Sequence, residues 1–425
     1  MTKRFGNIGR ALAHRNYRLF FAGQSISLIG SWITRVAMSW LVYRLTGSAW
    51  TLGIVGFAGQ FPTFLLAPLA GAWVDRWNRH TLLVVTQVLA ALQSGILAWL
   101  ALSGKITVTH VLALSVFQGV INAFDMPARQ SFIVDMIGSR EDLPNAIALN
   151  SSMFNGARLV GPSVAGILIA WVGEGWCFFI DAVSYLAVIA SLLLMRLSAP
   201  AMARRATSVV HEIVEGYRYV AGFSPIRVLL ILLAVTSLLG FPYTVLMPII
   251  VGNVLHGGPH TLGFLMAASG VGALAGALYL ASRKSVLGLG RVIAWSAFGF
   301  GVGLVLFSLS RHVWLSMLLM AGCGLTMILQ MAASNTVLQT LSDDDKRGRV
   351  MSFYSMAFFG TAPLGSLFAG AVATWIGAPR TILIGGAVCA IAALVFWRAL
   401  PKIRQATIPI YTRLGILPAP TDQSV

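Results

Sequence analysis

Four ionisable residues, Arg35, Asp125, Arg158 and Asp181, lie inside long apolar runs. A charge in that setting costs about 2.5–3.5 kcal/mol on insertion scales unless something pairs with it. Each is therefore a candidate for ion coupling, substrate contact or a structural pair. Arg35 and Asp181 sit at matching depth, about 12 Å in from the same membrane face at about 1.5 Å per helical residue. An Arg35–Asp181 ion pair is one expected arrangement, and breaking it would free a carboxylate to take up a proton; a static pair, or Asp181 reaching the outer headgroups, is the alternative. Arg158 shares a helix face with Asn155 and Ser151, at i−3 and i−7. It suits an anionic substrate or a gate as well as it suits an interhelical hydrogen bond. The coupling candidates are thus Arg35, Asp181 and Arg158, whereas Asp125, close to Arg129 and to the Arg76/Arg79 cluster, reads as half of a gating pair.

Uncharged polar residues recur at helical spacing around these charges. Gln24, Ser27 and Ser31 line up with Arg35, and Ser115 lines up with Gln118 and Asn122. Thr236 and Tyr243 flank Pro242, and Thr326 precedes Gln330 by one turn. Together these stripes could wall a polar passage; singly, each could as well bond helix to helix for about 0.6 kcal/mol. Cys177, Cys323 and Cys389 are scattered without metal-ligand spacing, and the seven histidines are dispersed. With no phosphate-binding glycine loop either, no enzyme, metal or cofactor is expected.

The elements that must carry these residues follow from composition. Of the 425 residues 57 % are hydrophobic and only 10 % charged, with a mean hydropathy of +0.81. A soluble domain needs roughly 25 % charged residues to wet its surface, so lipid must be the main solvent. The net charge of +17 is dispersed between apolar runs, which argues against nucleic acid. Runs of about 20 apolar residues, enough to cross the hydrocarbon core, fall near 18–43, 50–74, 81–103, 108–126, 146–171 and 175–196. Six more fall near 226–252, 260–282, 290–310, 312–340, 349–376 and 379–399. The reading is an all-α membrane protein of twelve transmembrane helices. Outside the spans, only Arg44, Lys105, Arg311 and Arg380 fall on the side opposite the N-terminus; the other basic residues share its side. By the positive-inside rule both termini are then cytoplasmic.

Residues 197–225 form the longest internal polar stretch, with Arg204, Arg205, Glu212, Glu215 and Arg218. Val209, Ile213, Tyr217 and Val220 within it predict a short amphipathic surface helix, a plain linker being the alternative. The expected organisation is a six-helix bundle over 1–196, this cytoplasmic loop, a second six-helix bundle over 226–400, and a cytoplasmic tail over 401–425. An internal repeat relates the bundles. At one constant offset Ser151 meets Ser355, Phe154 meets Phe358, Gly156 meets Gly360, Gly161 meets Gly365, Ala165-Gly166 meets Ala369-Gly370, and Arg79 meets Arg283. Such glycines permit close helix crossings.

After the second run stands Gly71-Ala-Trp73-Val-Asp75-Arg76-Trp77-Asn78-Arg79, a small residue followed by a charge cluster at a membrane face. It resembles the G-x-x-x-D-R-x-x-R signature of the major facilitator superfamily, and spans, halves and central loop extend the resemblance over nearly the whole chain. In the second half Tyr279 replaces Asp75 while Arg283 matches Arg79. Asp125-Met-Pro127-Ala-Arg129-Gln130, Asn145 to Asn150, Asn155 to Pro162 and Arg347-Gly348-Arg349-Val350-Met351 resemble the enterobactin-exporter and macrolide-efflux branch of drug:proton antiporters. The resemblance implies two pseudo-symmetric six-helix bundles lining a cavity with helices 1, 4, 7 and 10. It implies export of a small amphipathic molecule, a drug-like compound or siderophore, by alternating access with the proton as coupling ion. The expected partners are that substrate and the lipid bilayer of a bacterial inner membrane, the chain acting as a monomer. Gating falls to Gly71, Asp75, Arg76, Arg79, Asp125, Arg129, Gly161 and Pro162, the last two being similar to the antiporter motif of helix 5. One departure bears on coupling: Gln118-Gly119 is present, but Ser115 stands where many relatives carry an arginine in helix 4. Lipid or lysolipid flipping by the same fold, and a non-transporting sensor, are the alternative readings.

Overall fold

The computed structural model describes residues 9–74, 77–137, 140–196, 209–283, 285–343 and 346–417; the side chains of 67–68, 71–72, 140, 209–214 and 216 also lie outside the description. Twelve helices are long and apolar enough to cross a membrane. In the first half they are α1 (Arg15–Thr46), α2 (Ala49–Val74), α3 (Arg79–Leu102), α4 (Val108–Met136), α5 (Leu143–Val172) and α6 (Glu174–Leu193). In the second they are α7 (Ser224–Val254), α8 (Pro259–Ser282), α9 (Leu289–Leu309), α10 (Val313–Leu341), α11 (Arg347–Ile376) and α12 (Ala378–Arg413). An even number of crossings leaves both termini on one membrane face, here called the terminus side, opposite the far side.

Local chemistry marks the ends of these helices. Asn78 Oδ1 accepts from Thr81 N at the start of α3, and Thr107 Oγ1 accepts from His110 N at the start of α4, each satisfying an orphan donor of the first turn. Gly173 and Gly377 turn the far-side corners α5–α6 and α11–α12 at φ +84° and +85°, where a side chain would be strained. Pro242 cannot donate to the carbonyl of Leu238, and α7 widens there into a π-helical turn, Thr236–Gly240, with Phe241 N bonding Thr236 O. A second such turn, Met356–Gly360, interrupts α11. The two meet: Ser237 Oγ donates to Phe358 O, and Phe241 lies edge-on to Phe358.

Each half packs the same way. In the first, α1 and α3 pack on α6 and α2 packs on α4; in the second, α9 packs on α12 and α8 on α10. The halves meet where α2 crosses α11 and α5 crosses α8. The polar stretch after α6 contains a surface helix, Val209–Gly222. Val220 is buried against the second half, while Tyr217 is 64 % exposed; Val209, Ile213, Arg204, Arg205 and Glu212 lie outside the described side chains. Helix α4 runs on past its expected end at 126 to Met136, and two boundaries of the expected organisation also move. Helix α7 starts at Ser224, its first turn led by Pro225, and α12 runs on to Arg413 through residues expected to be tail. The extension holds because Ile403, Ile410 and Tyr411 pack on the core of the second half.

Candidate functional site: a central cavity between two gates

The far-side gate is built from glycines. Gly53 of α2 faces Gly370 of α11, and a Cβ on Gly53 would lie 2.9 Å from the Gly370 Cα. Gly166 of α5 faces Gly263 of α8 in the same way, its Cβ 3.0 Å from the Gly263 Cα. The neighbours also correspond, since Gly53 meets Ser366 O and Gly263 meets Pro162 O, while Gly370 meets Ala49 O and Gly166 meets Pro259 O. The two crossings are one contact repeated with the halves exchanged, the pseudo-two-fold relation written in atoms. Tyr43 Oη of α1 adds a hydrogen bond to Asn253 Oδ1 of α7 at 2.7 Å, and Gly252 leaves room for the Tyr43 ring. Beside it Arg44 forks onto Glu174, Nε to Oε1 at 2.9 Å and Nη2 to Oε2 at 3.1 Å, tying α1 to α6 within the first half.

Among the described residues, glycine contacts between the halves on the way to the terminus side include Gly360 against Phe64 and Gly270 against Arg158 and Leu159. Beyond these, Ser151, Ser152, Ser355 and Met356 are exposed. Polar ties within each half are present on this side. His14 and Arg10 pair with Asp142, Tyr17 Oη donates to Ala146 O, and Arg79 pairs with Asp135 at 3.3 Å. In the second half Arg349 pairs with Glu215 at 2.9 Å and Arg413 with Asp343 at 3.1 Å. A cavity of about 630 Å³ opens here beside Gln339, Asp343, Arg347 and Arg413.

Between the gates stand Arg35 and Arg158. Trp32 lies over Arg35, 4.7 Å from the guanidinium carbon to the ring centre, and meets Phe154 edge-on at 6.0 Å. Gly161 lets the α1 backbone carrying Trp32 approach α5. Arg35 is enclosed by surrounding helices yet keeps an accessible surface. Arg158 follows Phe154 by one turn on α5, as Arg35 follows Trp32 on α1. No ion pair is formed by either arginine among the described residues.

The expected Arg35–Asp181 pair is not present. Asp181, 1 % exposed, accepts from Ser94 Oγ at 2.9 Å and lies against Gly30 of α1. Arg35, five residues further on, is turned by about 140° from that face at about 100° per residue. Equal depth did not mean equal azimuth. Asp125 does meet Arg129, one turn away, and also accepts from Thr86 Oγ1 at 3.0 Å and Gln87 Nε2 at 2.7 Å. All four residues belong to α3 and α4, so the cluster staples one half and does not bridge the two.

Several cavity candidates prove to be packing. Gln24 and Ser27 are buried, and Ser31 shares a hydrogen with Tyr185 Oη at 3.3 Å, so the α1 stripe faces α6. Ser115 is buried near Gly59 of α2. Gln330 Nε2 donates to Thr236 Oγ1 at 3.1 Å, joining α10 to α7, and Thr326 bonds its own helix at Gly322 O. Tyr243 is buried with its hydroxyl 3.5 Å from Ser269 Oγ. Gln118 and Asn122 are half-buried and bonded to each other. Pro162 sits inside α5 with its carbonyl against Gly263. Asp75 and Arg76 lie outside the described residues, as does the environment of Gly71; in the second half Arg283, the counterpart of Arg79, donates to Tyr279, the counterpart of Asp75, at 3.3 Å. What the sequence reading missed is the Gly53–Gly370 and Tyr43–Asn253 contacts. The repeat of Gly166 onto Gly370 pointed to one partner of each crossing but not to the other.

Two pseudo-symmetric six-helix halves that meet through paired glycine crossings define a transporter of the major facilitator class. Residues 10–414 match the model of the transmembrane secretion effector family, and the chain belongs to that family. Its relatives include the staphyloferrin A transporter of Staphylococcus aureus, 25 % identical with 89 % of this chain and 95 % of the relative covered. They also include the multidrug efflux pump Tap of Mycolicibacterium fortuitum, 29 % identical over 83 % and 88 %. Macrolide efflux protein A of Streptococcus pyogenes is 24 % identical over 90 % and 96 %. In fold the chain is similar to a bacterial homologue of the human lysosomal transporter Spinster, with TM-score 0.73 and 13 % identity, covering 92 % of this chain and 98 % of that one. The protein is a multi-pass membrane transporter and not an enzyme.

Proposed function

We propose that this transporter exports a small amphipathic molecule from the cytoplasm across a bacterial inner membrane by proton-driven alternating access. The observation that carries the reading is an asymmetry between the faces: glycine crossings close the far side, while towards the terminus side Ser151, Ser152, Ser355 and Met356 of α5 and α11 are exposed. The excess of Lys and Arg on the terminus side supports placing that side in the cytoplasm. The cavity then faces inward, as an exporter loading its cargo requires. Relatives named for siderophore transport and for multidrug and macrolide efflux support the direction and the size of cargo. Rocking one half against the other would part the glycine crossings and close the terminus side.

The test uses everted membrane vesicles from a host lacking its own exporters. Accumulation of a drug or siderophore that depends on this chain, and collapses when the proton gradient is dissipated, is the expected result. Accumulation indifferent to the gradient would remove the proton, and absence of accumulation across a broad substrate panel would remove the exporter.

A further inference from the structure

We propose that Arg35 and Arg158 form a binding site for the acidic groups of an amphipathic organic anion, which is the class of cargo this transporter carries. The proposal rests on the exporter reading for the direction of movement only. Trp32 of α1 meets Phe154 of α5, Arg35 lies against the Trp32 ring, and Arg158 follows Phe154 by one helical turn, so both guanidinium-bearing turns flank one contact between α1 and α5. Two like charges in a low-dielectric interior repel strongly and stay there only with a counterion or for a use.

The protein supplies no counterion among the described residues. Of the carboxylates within the spans, Asp125 is committed to Arg129 and Glu174 to Arg44. Asp181 is sealed among Ser94 and Ser184 on the far face of α1. The acids of the terminus side, Asp135, Asp142, Glu215 and Asp343, pair with cations there. The negative charge at the two arginines must therefore come from the cargo. Guanidinium forks match carboxylate or phosphate oxygens two at a time. Two of them across one cavity favour a ligand with two or more acidic groups over a monoanion. Trp32 and Phe154 form an aromatic wall beside the charges, and such a wall takes an apolar body. Arg158 is not needed by the repeat, since the position matching it is Ala362, buried in packing.

The same chemistry is offered by a soluble polycarboxylate and by an anionic lipid headgroup. The full chain is placed in phosphatidylcholine nanodiscs and titrated calorimetrically with benzene-1,3,5-tricarboxylate and with its uncharged triamide. Expected are saturable binding of the tricarboxylate, at least tenfold weaker binding of the triamide, and at least tenfold weaker binding in Arg35→Gln and in Arg158→Gln, with partial recovery in Arg35→Lys and Arg158→Lys. Without ligand the Gln variants should unfold at the wild-type temperature or above it, because repulsion is relieved; with ligand only wild type should gain. Lower unfolding temperatures for both Gln variants without ligand would mean a structural role and overturn the proposal. So would equal binding of tricarboxylate and triamide, or no saturable binding of the tricarboxylate. Repeating the titration in phosphatidylglycerol discs separates the sources: competition there supports the site and assigns it to headgroups, and its absence supports a soluble anion. Arginine-dependent binding without vesicle accumulation would keep the site and sink the exporter, and accumulation unaffected by either Gln variant would do the reverse.

Discussion

Asp125 and Asp181 are both buried carboxylates of the first half, but their partners differ in kind. Asp125 is held by the Arg129 cation together with Thr86 and Gln87, so Asp125→Asn leaves a partly buried guanidinium without its countercharge. The cost should be about 1–3 kcal/mol, read as a lower unfolding temperature in detergent, and adding Arg129→Gln should recover part of it. Asp181 has hydroxyl donors and no cation among the described residues. Replacing it by Asn keeps the oxygen that Ser94 binds but removes the titrating proton. If Asp181 carries the coupling proton, Asp181→Asn vesicles should still exchange substrate down its gradient and lose their response to the proton gradient; an unchanged response would clear this residue of the role. The Asp125–Arg129 contact was legible in the sequence, because residues four apart on a helix must be neighbours. The isolation of Arg35 from Asp181 was not, because depth follows from counting residues whereas azimuth depends on how each helix is rotated in the bundle.

Among the elements, the spans were the most legible feature, since a hydrocarbon core demands an uninterrupted apolar length whatever the packing. The glycine crossings were half legible. The repeat marked Gly166 and Gly370 as equivalent, but a glycine does not encode which helix comes near it, and Gly53 and Gly263 carry no signal beyond their small size. A side chain on Gly166 would collide with α8 backbone at Pro259, His260 and Gly263. Backbone cannot rotate away as a side chain can, so Gly166→Val should destabilise the closed far side by about 1–3 kcal/mol, a shift of roughly 5- to 150-fold. Spin labels on the far-side ends of α5 and α8 should then show a larger long-distance population, and unchanged distances would count against the gate. At the other face, Asp343 joins the α10–α11 loop to α12 through Arg413 and to the surface helix through Tyr219. The Arg413 hydrogen bond, then that of Tyr219, holds its carboxyl below the usual carboxylate range. Its contribution is thus present above the unfolded-state value and is lost as pH falls through the depressed one. Asp343→Asn should lower the unfolding temperature slightly at pH 7 and make no difference once the pH is below that lower range.

For the molecule as a whole, which face is closed was not legible in the residues, because both faces of a major facilitator fold are drawn from the same repeat and only their relative packing differs from state to state. The distribution of bonds supplies the difference. On the terminus side the polar ties described above join elements of one half to one another, so each half can move there as a unit. On the far side the halves interlock through backbone, where no ionic bond has to break for them to part. Ser151 of α5 and Ser355 of α11 are repeat mates on the terminus-side stretch of their helices, both exposed. In a chain whose three buried cysteines, Cys177, Cys323 and Cys389, are replaced by alanine, a cysteine at either position should react quickly with a membrane-impermeant maleimide added to the terminus side. From the far side it should react slowly. Everted and right-side-out vesicles present the two faces in turn, so the same preparation supplies both rates. Introducing Gly166→Val should slow the first rate and raise the second, because the halves rock about the cavity and opening one face closes the other. If both rates rise together, the halves separate without rocking, and the two gates are not coupled through the cavity that holds Arg35 and Arg158.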